Sequence, residues 1–276
     1  MSAKTRRNLS QAVTLLILGL FLVLSLLPFG VMVLLSLKSN ADIFTNFWGF
    51  PNPPRWEFYA QATKTLIPYL INTAIIAGIV VPGVVLLSSW AGYALARLRF
   101  RGRNLVYAAI IALMMIPGVL TLIPTYTLVQ KMGLINTRWA LILPYLAGGQ
   151  VLGIVLCRSF FEGLPEELFE AMRLDGASDI TLYRHLALPL SLPTLTTVAV
   201  MTLLGVYNDY IWPLVTLSDN DLQTFTVGVT RFAGEFNMEY GPTLAGYAVG
   251  SLPLILLFAL GMRAFVRGVT SGALRS

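Results

Sequence analysis

The sequence predicts an all-α integral membrane protein, and this inference depends on composition, on the length of the apolar stretches and on the placement of basic residues. Apolar residues make up 56% of the 276 residues and charged residues only 12%, with a mean hydropathy of +0.74. Soluble domains carry about 25% charged residues, and a soluble core cannot absorb this apolar excess. Several stretches reach the roughly 20 residues that a bilayer-spanning helix needs.

Six spans are predicted within a single membrane domain covering residues 1–276. The first follows a short basic segment and is too long for the apolar core of a signal peptide, so we expect it to be retained. The spans are expected at about 11–37, 69–96, 104–130, 139–161, 190–217 and 243–266.

The basic residues predict the orientation of the spans. With six spans, both termini lie on the same side. The N-terminus, residues 97–103, residues 158–188 and the tail share that side and hold 13 lysines and arginines, whereas the other three connections hold six. Because basic loops stay in the cytoplasm, we expect both termini to be cytoplasmic.

Several function classes are excluded by residue chemistry. The net charge of +6 would suit nucleic acid, but the basic residues lie between apolar spans and form no single patch. One cysteine, Cys157, and one histidine, His185, supply neither a metal-ligand set nor a Ser-His-Asp arrangement. We therefore expect no nucleic-acid partner, no catalytic residue and no metal site.

Prolines interrupt several spans, where each removes a backbone donor and bends the helix. The prolines fit either a transport path with hinges or ordinary tolerated kinks, and two prolines in the third span tilt the interpretation towards function. The residues concerned are Pro82, Pro117, Pro124 and Pro253.

The connection between spans four and five, residues 162–189, is called the elbow below. It carries six acidic residues, which are energetically costly to place in the hydrocarbon core of a bilayer, so we expect its helices to lie outside that core. Pro165 suits a first helical position, and Gly176 can supply the left-handed turn that ends the helix. Ser178 or Asp179 can then begin a second short helix.

Apolar residues in the elbow recur at spacings of three and four, which indicates amphipathic helices. Because both ends join transmembrane helices, a push from a soluble partner would reach spans four and five. The same pattern fits a helix resting on lipid headgroups, and residue chemistry leaves both open. The apolar residues are Leu164, Leu168, Ala171 and Met172, then Leu182, Tyr183 and Leu186.

The elbow resembles the EAA motif of ABC-importer permease subunits. That motif runs Glu-Ala-Ala, a glycine four residues on, then Ile-x-Leu-Pro; here Met172 replaces the second alanine and Leu186 the isoleucine, which should keep the buried face. The matching segments are Glu170-Ala171-Met172-Arg173-Leu174-Asp175-Gly176-Ala177 and Leu186-Ala187-Leu188-Pro189. The resemblance implies an ATPase-coupling interface formed by Glu170, Ala171, Met172, Asp175, Gly176, Ala177, Leu186 and Pro189.

Further segments resemble the maltose-transporter-type sugar permeases, and together they cover nearly the whole chain. One departure is Met262, where a glutamine is usual before Arg263. The segments are Tyr93-Ala94-Leu95-Ala96-Arg97 with Phe100-Arg101-Gly102, then Asn208-Asp209-Tyr210-Ile211-Trp212-Pro213-Leu214, and Arg267-Gly268-Val269-Thr270-Ser271-Gly272-Ala273.

This resemblance implies an ABC importer type I permease core in a bacterial-type plasma (inner) membrane, working by alternating access. It implies a second permease subunit, two cytoplasmic ATPase subunits, an extracytoplasmic solute-binding protein and a sugar substrate as partners within the lipid bilayer. The chain has no GxxxxGK[ST] motif, so ATP and Mg²⁺ are expected on the ATPase subunits, with no cofactor and no enzymatic activity in this chain.

Two polar residues near the end of the fifth predicted span are candidates for the translocation path or an outer gate. Asp209 is the only carboxylate well inside a predicted span. Counted from Leu190 it lies about 28 Å along the helix, so an outer-gate or structural role is favoured over sugar contact. Asn208 is the second candidate, whereas Asn72 is expected to pack against a neighbouring helix.

Two connections predicted to face outwards, 38–68 and 218–242, are rich in aromatic residues. These residues fit either an interfacial belt or contacts with a binding protein. They are Phe44, Phe47, Trp48, Trp56 and Tyr59 in the first and Phe225, Phe232 and Phe236 in the second.

The main alternative function is an ion-gradient-driven secondary carrier, since six kinked spans can move a substrate without ATP. A carrier leaves the elbow unexplained. A membrane scaffold and an intramembrane enzyme are further alternatives, and the enzyme lacks a convincing nucleophile or metal set.

Overall fold

A computed structural model describes residues 3–236 and 239–273, with side chains described for 11–236, 239–257 and 259. All regular elements in these ranges are helical. The first six helices are α1 (Ala3–Ser36), α2 (Asn40–Thr45), α3 (Glu57–Arg97), α4 (Arg103–Met114), α5 (Gly118–Lys131) and α6 (Trp139–Glu162). They are followed by α7 (Glu166–Leu174), α8 (Asp179–Leu182), α9 (Leu188–Asn208), α10 (Ile211–Thr216), α11 (Phe225–Glu235) and α12 (Tyr240–Ala273).

The predicted all-α membrane fold is confirmed in this part of the chain. Five helical segments are long and apolar enough to cross a membrane, and a sixth is obtained when α4 and α5 count as one bent span. The basic side chains Lys4, Arg6 and Arg7, and those of the tail segment 262–273, lie outside the described side chains.

The third predicted span is broken. The axes of α4 and α5 differ by 103°, and Pro117 caps α5 in an extended conformation with ψ of 129°. Proline lacks the N–H that a continuous helix needs, and it disfavours helical backbone at the preceding residue, Ile116. Pro124 lies inside α5 without ending it. Of the two prolines in this span, Pro117 alone therefore coincides with the break.

The fifth predicted span ends earlier than expected, at Asn208 instead of about residue 217. Asp209 takes an extended conformation with ψ of 126°, and a separate helix, α10, follows it. The apolar pattern continues through α10, so hydropathy alone could not locate this break.

The chain packs as two units. One lies within Met1–Ile67 and Val229–Pro253, with Leu66 and Phe232 buried inside it. The other lies within Pro68–Gly228 and Leu254–Ser276 and contains the elbow.

Small residues let α3 and α6 approach closely in the second unit. A Cβ added to Gly92 would lie 2.6 Å from the Cβ of Cys157 and 2.9 Å from the backbone nitrogen of Arg158. A Cβ on Gly149 would lie 2.7 Å from Val84. Cys157 is fully buried at this seam. The seam holds α6 firmly beside α3, just before the elbow begins.

Candidate functional site

The first arm of the elbow is helix α7. Pro165 has an extended backbone with ψ of 134° and precedes the helix, so it is the N-cap and not the first helical residue that was predicted. Glu166 and Glu167 occupy the first turn, where the positive end of the helix dipole favours carboxylates.

Gly176 ends α7, as predicted. Its φ of +83° lies in the left-handed region that glycine adopts without steric cost. The N–H of Ala177 donates to the carbonyl of Met172 at 3.0 Å, and the N–H of Gly176 donates to the carbonyl of Arg173 at 3.0 Å. These two bonds form a Schellman cap, which fixes the turn between the two arms.

The second arm was predicted as a separate short helix, and this prediction was wrong. Ser178 does cap α8, because its hydroxyl accepts from the N–H of Thr181 at 3.3 Å. However, α8 continues through a π-helical turn, Tyr183–Ala187, directly into α9. The helix therefore runs without a break from the elbow into the fifth span.

The π-helical turn lies where a regular α-helix would meet Pro189. In a regular helix the proline ring clashes with the carbonyl four residues earlier, which here belongs to His185, a member of the π turn. The wider turn accommodates the proline and keeps the helix continuous. The second arm of the elbow and the fifth span are thus parts of one helix, Asp179–Asn208.

One face of the elbow packs against the core of the second unit. Phe169 and Leu182 are fully buried, and Met172 and Leu186 are partly buried against the same core. The two apolar replacements in the motif therefore lie on the buried face, as expected. Ala177 packs against this core as well.

The predicted apolar face of α7 is partly wrong. Leu168 is 42% exposed, and Ala171 is also exposed, because Phe169 takes the buried position one residue later. The exposed surface of the elbow consequently mixes apolar and acidic side chains. It includes Leu168, Glu170, Ala171, Leu174, Asp175 and Ile180, with Leu174 89% and Ile180 68% exposed.

A chain of alternating charges links the two arms of the elbow to α3. Arg97 forms an ion pair with Glu166. Glu166 also lies 3.4 Å from Arg173, which in turn lies 3.9 Å from Asp179. The Arg97 side chain is only 9% exposed, whereas its partners are about half exposed. Sequence reasoning missed this role of Arg97, although its spacing from Tyr93 and Ser89 places all three on one face of α3.

Asn208 and Asp209 lie far from the elbow, at the other end of α9, which is about 30 Å long. Asn208 is exposed and Asp209 is half-buried. The Asp209 carboxylate accepts from the hydroxyl of Tyr145 at 2.9 Å and from the N–H of Trp212 at 3.3 Å. This carboxylate therefore helps to begin α10, which favours the structural role over sugar contact.

A cavity of about 790 Å³ lies beside Asp209. Its walls are mainly apolar and come from α5, α6 and α10, with Tyr145 and Trp212 among them. The indole N–H of Trp212 donates to the carbonyl of Ala140 at 3.0 Å, so the ring position is fixed.

Asn72 has the structural role that was expected. Its side-chain nitrogen donates to the carbonyls of Asp221 and Gln223 at 2.7 and 3.1 Å. Its side-chain oxygen accepts from Arg138 at 2.8 Å. Asn72 therefore ties α3 to the segment that precedes α11.

The aromatic residues of the two connections differ in exposure. In the first, Phe44 and Trp48 are 73% and 70% exposed, which fits both interpretations offered for them. In the second, Phe225 and Phe232 are buried, so they pack inside the protein and form neither a belt nor a docking surface. Sequence analysis did not predict this burial, because it treated 218–242 as an outward connection, whereas the structure has helix α11 there.

Comparison with known proteins identifies the family. Residues 84–271 match the model of the family described as "Binding-protein-dependent transport system inner membrane component". The chain is 31% identical to the "Trehalose/maltose transport system permease protein MalG" of Thermococcus litoralis, over 95% of this chain and 96% of that one.

Two further relatives align over most of their length. The "Diacetylchitobiose uptake system permease protein NgcG" of Streptomyces coelicolor is 30% identical, with coverage of 96% and 89%. The "Melibiose/raffinose/stachyose import permease protein MelC" of Bacillus subtilis is 28% identical, with coverage of 99% of each chain.

The fold has a solved counterpart in a bacterial ABC transporter involved in the import of the acidic polysaccharide alginate. The match has a TM-score of 0.74 at 22% identity and covers 96% of this chain and 99% of the other. Fold, helical spans and family match agree, and this chain belongs to the family of inner-membrane components of binding-protein-dependent transport systems.

Proposed function

We propose that this chain is a permease subunit of an ATP-driven sugar importer, with its elbow receiving force from cytoplasmic ATPase subunits. The observation that carries the proposal is the elbow's construction. Its outer surface exposes Leu174 and Ile180 to solvent, while its second arm continues unbroken into the fifth span. Exposed apolar side chains beside acidic ones suit a protein partner, since a partner can cover the first and pair with the second.

The coupling interface in this proposal is the set predicted from the motif. Glu170, Ala171 and Asp175 are exposed and are available to a partner, whereas Met172, Ala177 and Leu186 hold the elbow against the core. Gly176 fixes the angle between the arms, and Pro189 lies in the first turn of α9.

The assembly we propose contains a second permease subunit, two ATPase subunits and an extracytoplasmic solute-binding protein. ATP and Mg²⁺ bind the ATPase subunits, because this chain has no phosphate-binding loop. The chain itself performs no chemistry. Closure of the ATPase pair displaces the elbow, and the permease pair then opens to receive sugar from the binding protein.

The substrate class we propose is a sugar or oligosaccharide. The relatives named for trehalose and maltose, for diacetylchitobiose and for melibiose, raffinose and stachyose support this class. In this proposal, both termini and the elbow lie in the cytoplasm, as the distribution of basic residues favours.

Reconstitution into proteoliposomes tests the proposal. The chain is purified with the candidate second permease and ATPase, and uptake of labelled sugars is measured with ATP inside and binding protein outside. We expect uptake only when ATP and binding protein are both present. Uptake driven by an imposed proton or sodium gradient without ATP would instead identify a secondary carrier.

A further inference from the structure

Three side chains four residues apart lie on one face of the last turns of α3. They are Ser89, Tyr93 and Arg97, and a spacing of four aligns side chains along a helix. Ser89 and Tyr93 are buried at 0% and 5% exposure. All three contact the elbow or the carbonyl groups at its start.

Arg97 holds the first arm of the elbow. Its Nε and Nη2 donate to the carbonyl of Phe161 at 2.9 and 2.6 Å, and Nη2 also donates to the carbonyl of Leu164 at 2.5 Å. Its Nη1 pairs with Glu166, and the guanidinium carbon lies 4.2 Å from the centre of the Phe169 ring.

These contacts use the charge, the planar fork of donors and the flat face of the arginine side chain. The two carbonyls belong to the last turn of α6 and the residues after it, where the negative end of the helix dipole attracts a cation. The planar fork donates to both carbonyls and the carboxylate at once, while its flat face covers Phe169. An arginine that only anchored a span would extend its charged end into water, whereas only 9% of this side chain is exposed.

Tyr93 and Ser89 hold the second arm. The Tyr93 hydroxyl donates to the carbonyl of Asp179 at 3.4 Å, and its ring lies 5.2 Å from that of Tyr183. The hydroxyls of Ser89 and Tyr183 are 2.9 Å apart. Tyr183 begins the π-helical turn, so this contact lies at the junction of elbow and span.

We infer that Ser89, Tyr93 and Arg97 form a clamp that makes α3 a third anchor of the elbow, with Arg97 as the positioning residue. This inference rests on the proposed function. Without the clamp, the elbow keeps its chain connections to α6 and α9 and its apolar packing on the core, but it loses its polar contacts with α3. With the clamp, a displacement of the elbow moves α3, α6 and α9 together.

The first test needs no partner subunit. Backbone hydrogen exchange is measured on the full chain in detergent for wild type, Arg97→Gln, Arg97→Lys and Arg99→Gln. Arg99 is the matched control, because it is exposed and lies two residues away. We expect Arg97→Gln to speed exchange in residues 166–187 by about tenfold or more, Arg97→Lys to have an intermediate effect, and Arg99→Gln to match wild type.

A second variant with a smaller change distinguishes loss of the clamp from misfolding of the chain. Tyr93→Phe removes only the hydroxyl that contacts Asp179, and we expect faster exchange confined to residues 179–187. Unchanged elbow exchange in Arg97→Gln and Tyr93→Phe would overturn the clamp, whether or not the chain proves to be a sugar permease.

The second test asks whether the clamp positions the elbow for coupling. In the reconstituted complex, sugar transported per ATP hydrolysed is compared at equal amounts of assembled complex. We expect this ratio to fall by about tenfold in Arg97→Gln, with partial rescue in Arg97→Lys. If wild type couples ATP hydrolysis to sugar uptake and Arg97→Gln has the same ratio, the positioning role is overturned. If wild type shows no ATP-dependent sugar uptake, the proposed function alone is overturned.

Discussion

The Asp209 carboxylate accepts two hydrogen bonds, from the hydroxyl of Tyr145 and from the N–H of Trp212. Substitutions of Asp209 can therefore test whether this carboxylate stabilises the fold or contacts the substrate. Asp209→Ala removes both bonds and should lower the free energy of unfolding by about 1–3 kcal/mol. Asp209→Asn retains an oxygen for the Trp212 N–H and should cost less. Unfolding in detergent micelles measures both.

A transport measurement can contradict the structural role of Asp209. Because we assign it a structural role, Asp209→Asn should leave the sugar concentration for half-maximal uptake within about twofold of wild type. A tenfold rise with unchanged stability would instead indicate that the carboxylate contacts sugar.

The sequence predicted the structural role of some single residues and not of others. Gly176 was predictable, because a glycine after an amphipathic helix is a common C-cap and its φ of +83° follows from that role. The clamp was not, because Arg97 also belongs to a cluster of four basic residues that orientation alone explains. Its contact with Phe169 joins residues distant in sequence, and a single sequence carries no such pairing.

The close approach of α3 and α6 leads to a prediction about helix packing. Gly92→Ala would place a methyl group 2.9 Å from the backbone of Arg158, so the two helices must separate. We expect a loss of about 1–3 kcal/mol in unfolding free energy, as for other overpacked sites.

Gly78 is the matched control in the same helix, since a Cβ there meets no atom within 4 Å. Gly78→Ala should be neutral or should raise stability by up to about 1 kcal/mol, because alanine favours helix. Thermal unfolding of both variants in detergent measures the difference. Equal effects at the two positions would contradict the proposed close packing.

The helices themselves were largely predictable because hydropathy marks each span. Several boundaries were not. Helix α3 begins at Glu57 instead of about residue 69, and the third span is broken between α4 and α5. The break at Asp209 occurs within a continuous apolar stretch, and it depends on a carboxylate bonding to Tyr145 of another helix. The π-helical turn before Pro189 reflects a local adjustment to a proline ring, which hydropathy does not record.

At the level of the whole molecule, the orientation can be measured by labelling. Leu174 and Phe50 are 89% and 88% exposed, and the native Cys157 is buried. In oriented vesicles, a membrane-impermeant maleimide should react with Leu174→Cys only from the cytoplasmic side and with Phe50→Cys only from the outer side. Reaction of Leu174→Cys from the outside would contradict the proposed orientation.

In the proposed mechanism, force from ATPase subunits enters the membrane through the elbow, and a substitution at Gly176 tests this step. Gly176 and Gly133 have similar φ values of +83° and +70°, with open space around both, so valine at either position meets similar backbone strain. Gly133→Val is therefore the control for lost stability, because it lies outside the elbow.

The measurement is ATP hydrolysis by the reconstituted complex, with and without sugar-loaded binding protein. We expect Gly176→Val to abolish the stimulation by binding protein while the complex remains assembled, and Gly133→Val to retain the stimulation. Full stimulation in an assembled Gly176→Val complex would show that the elbow does not transmit force from the ATPase subunits.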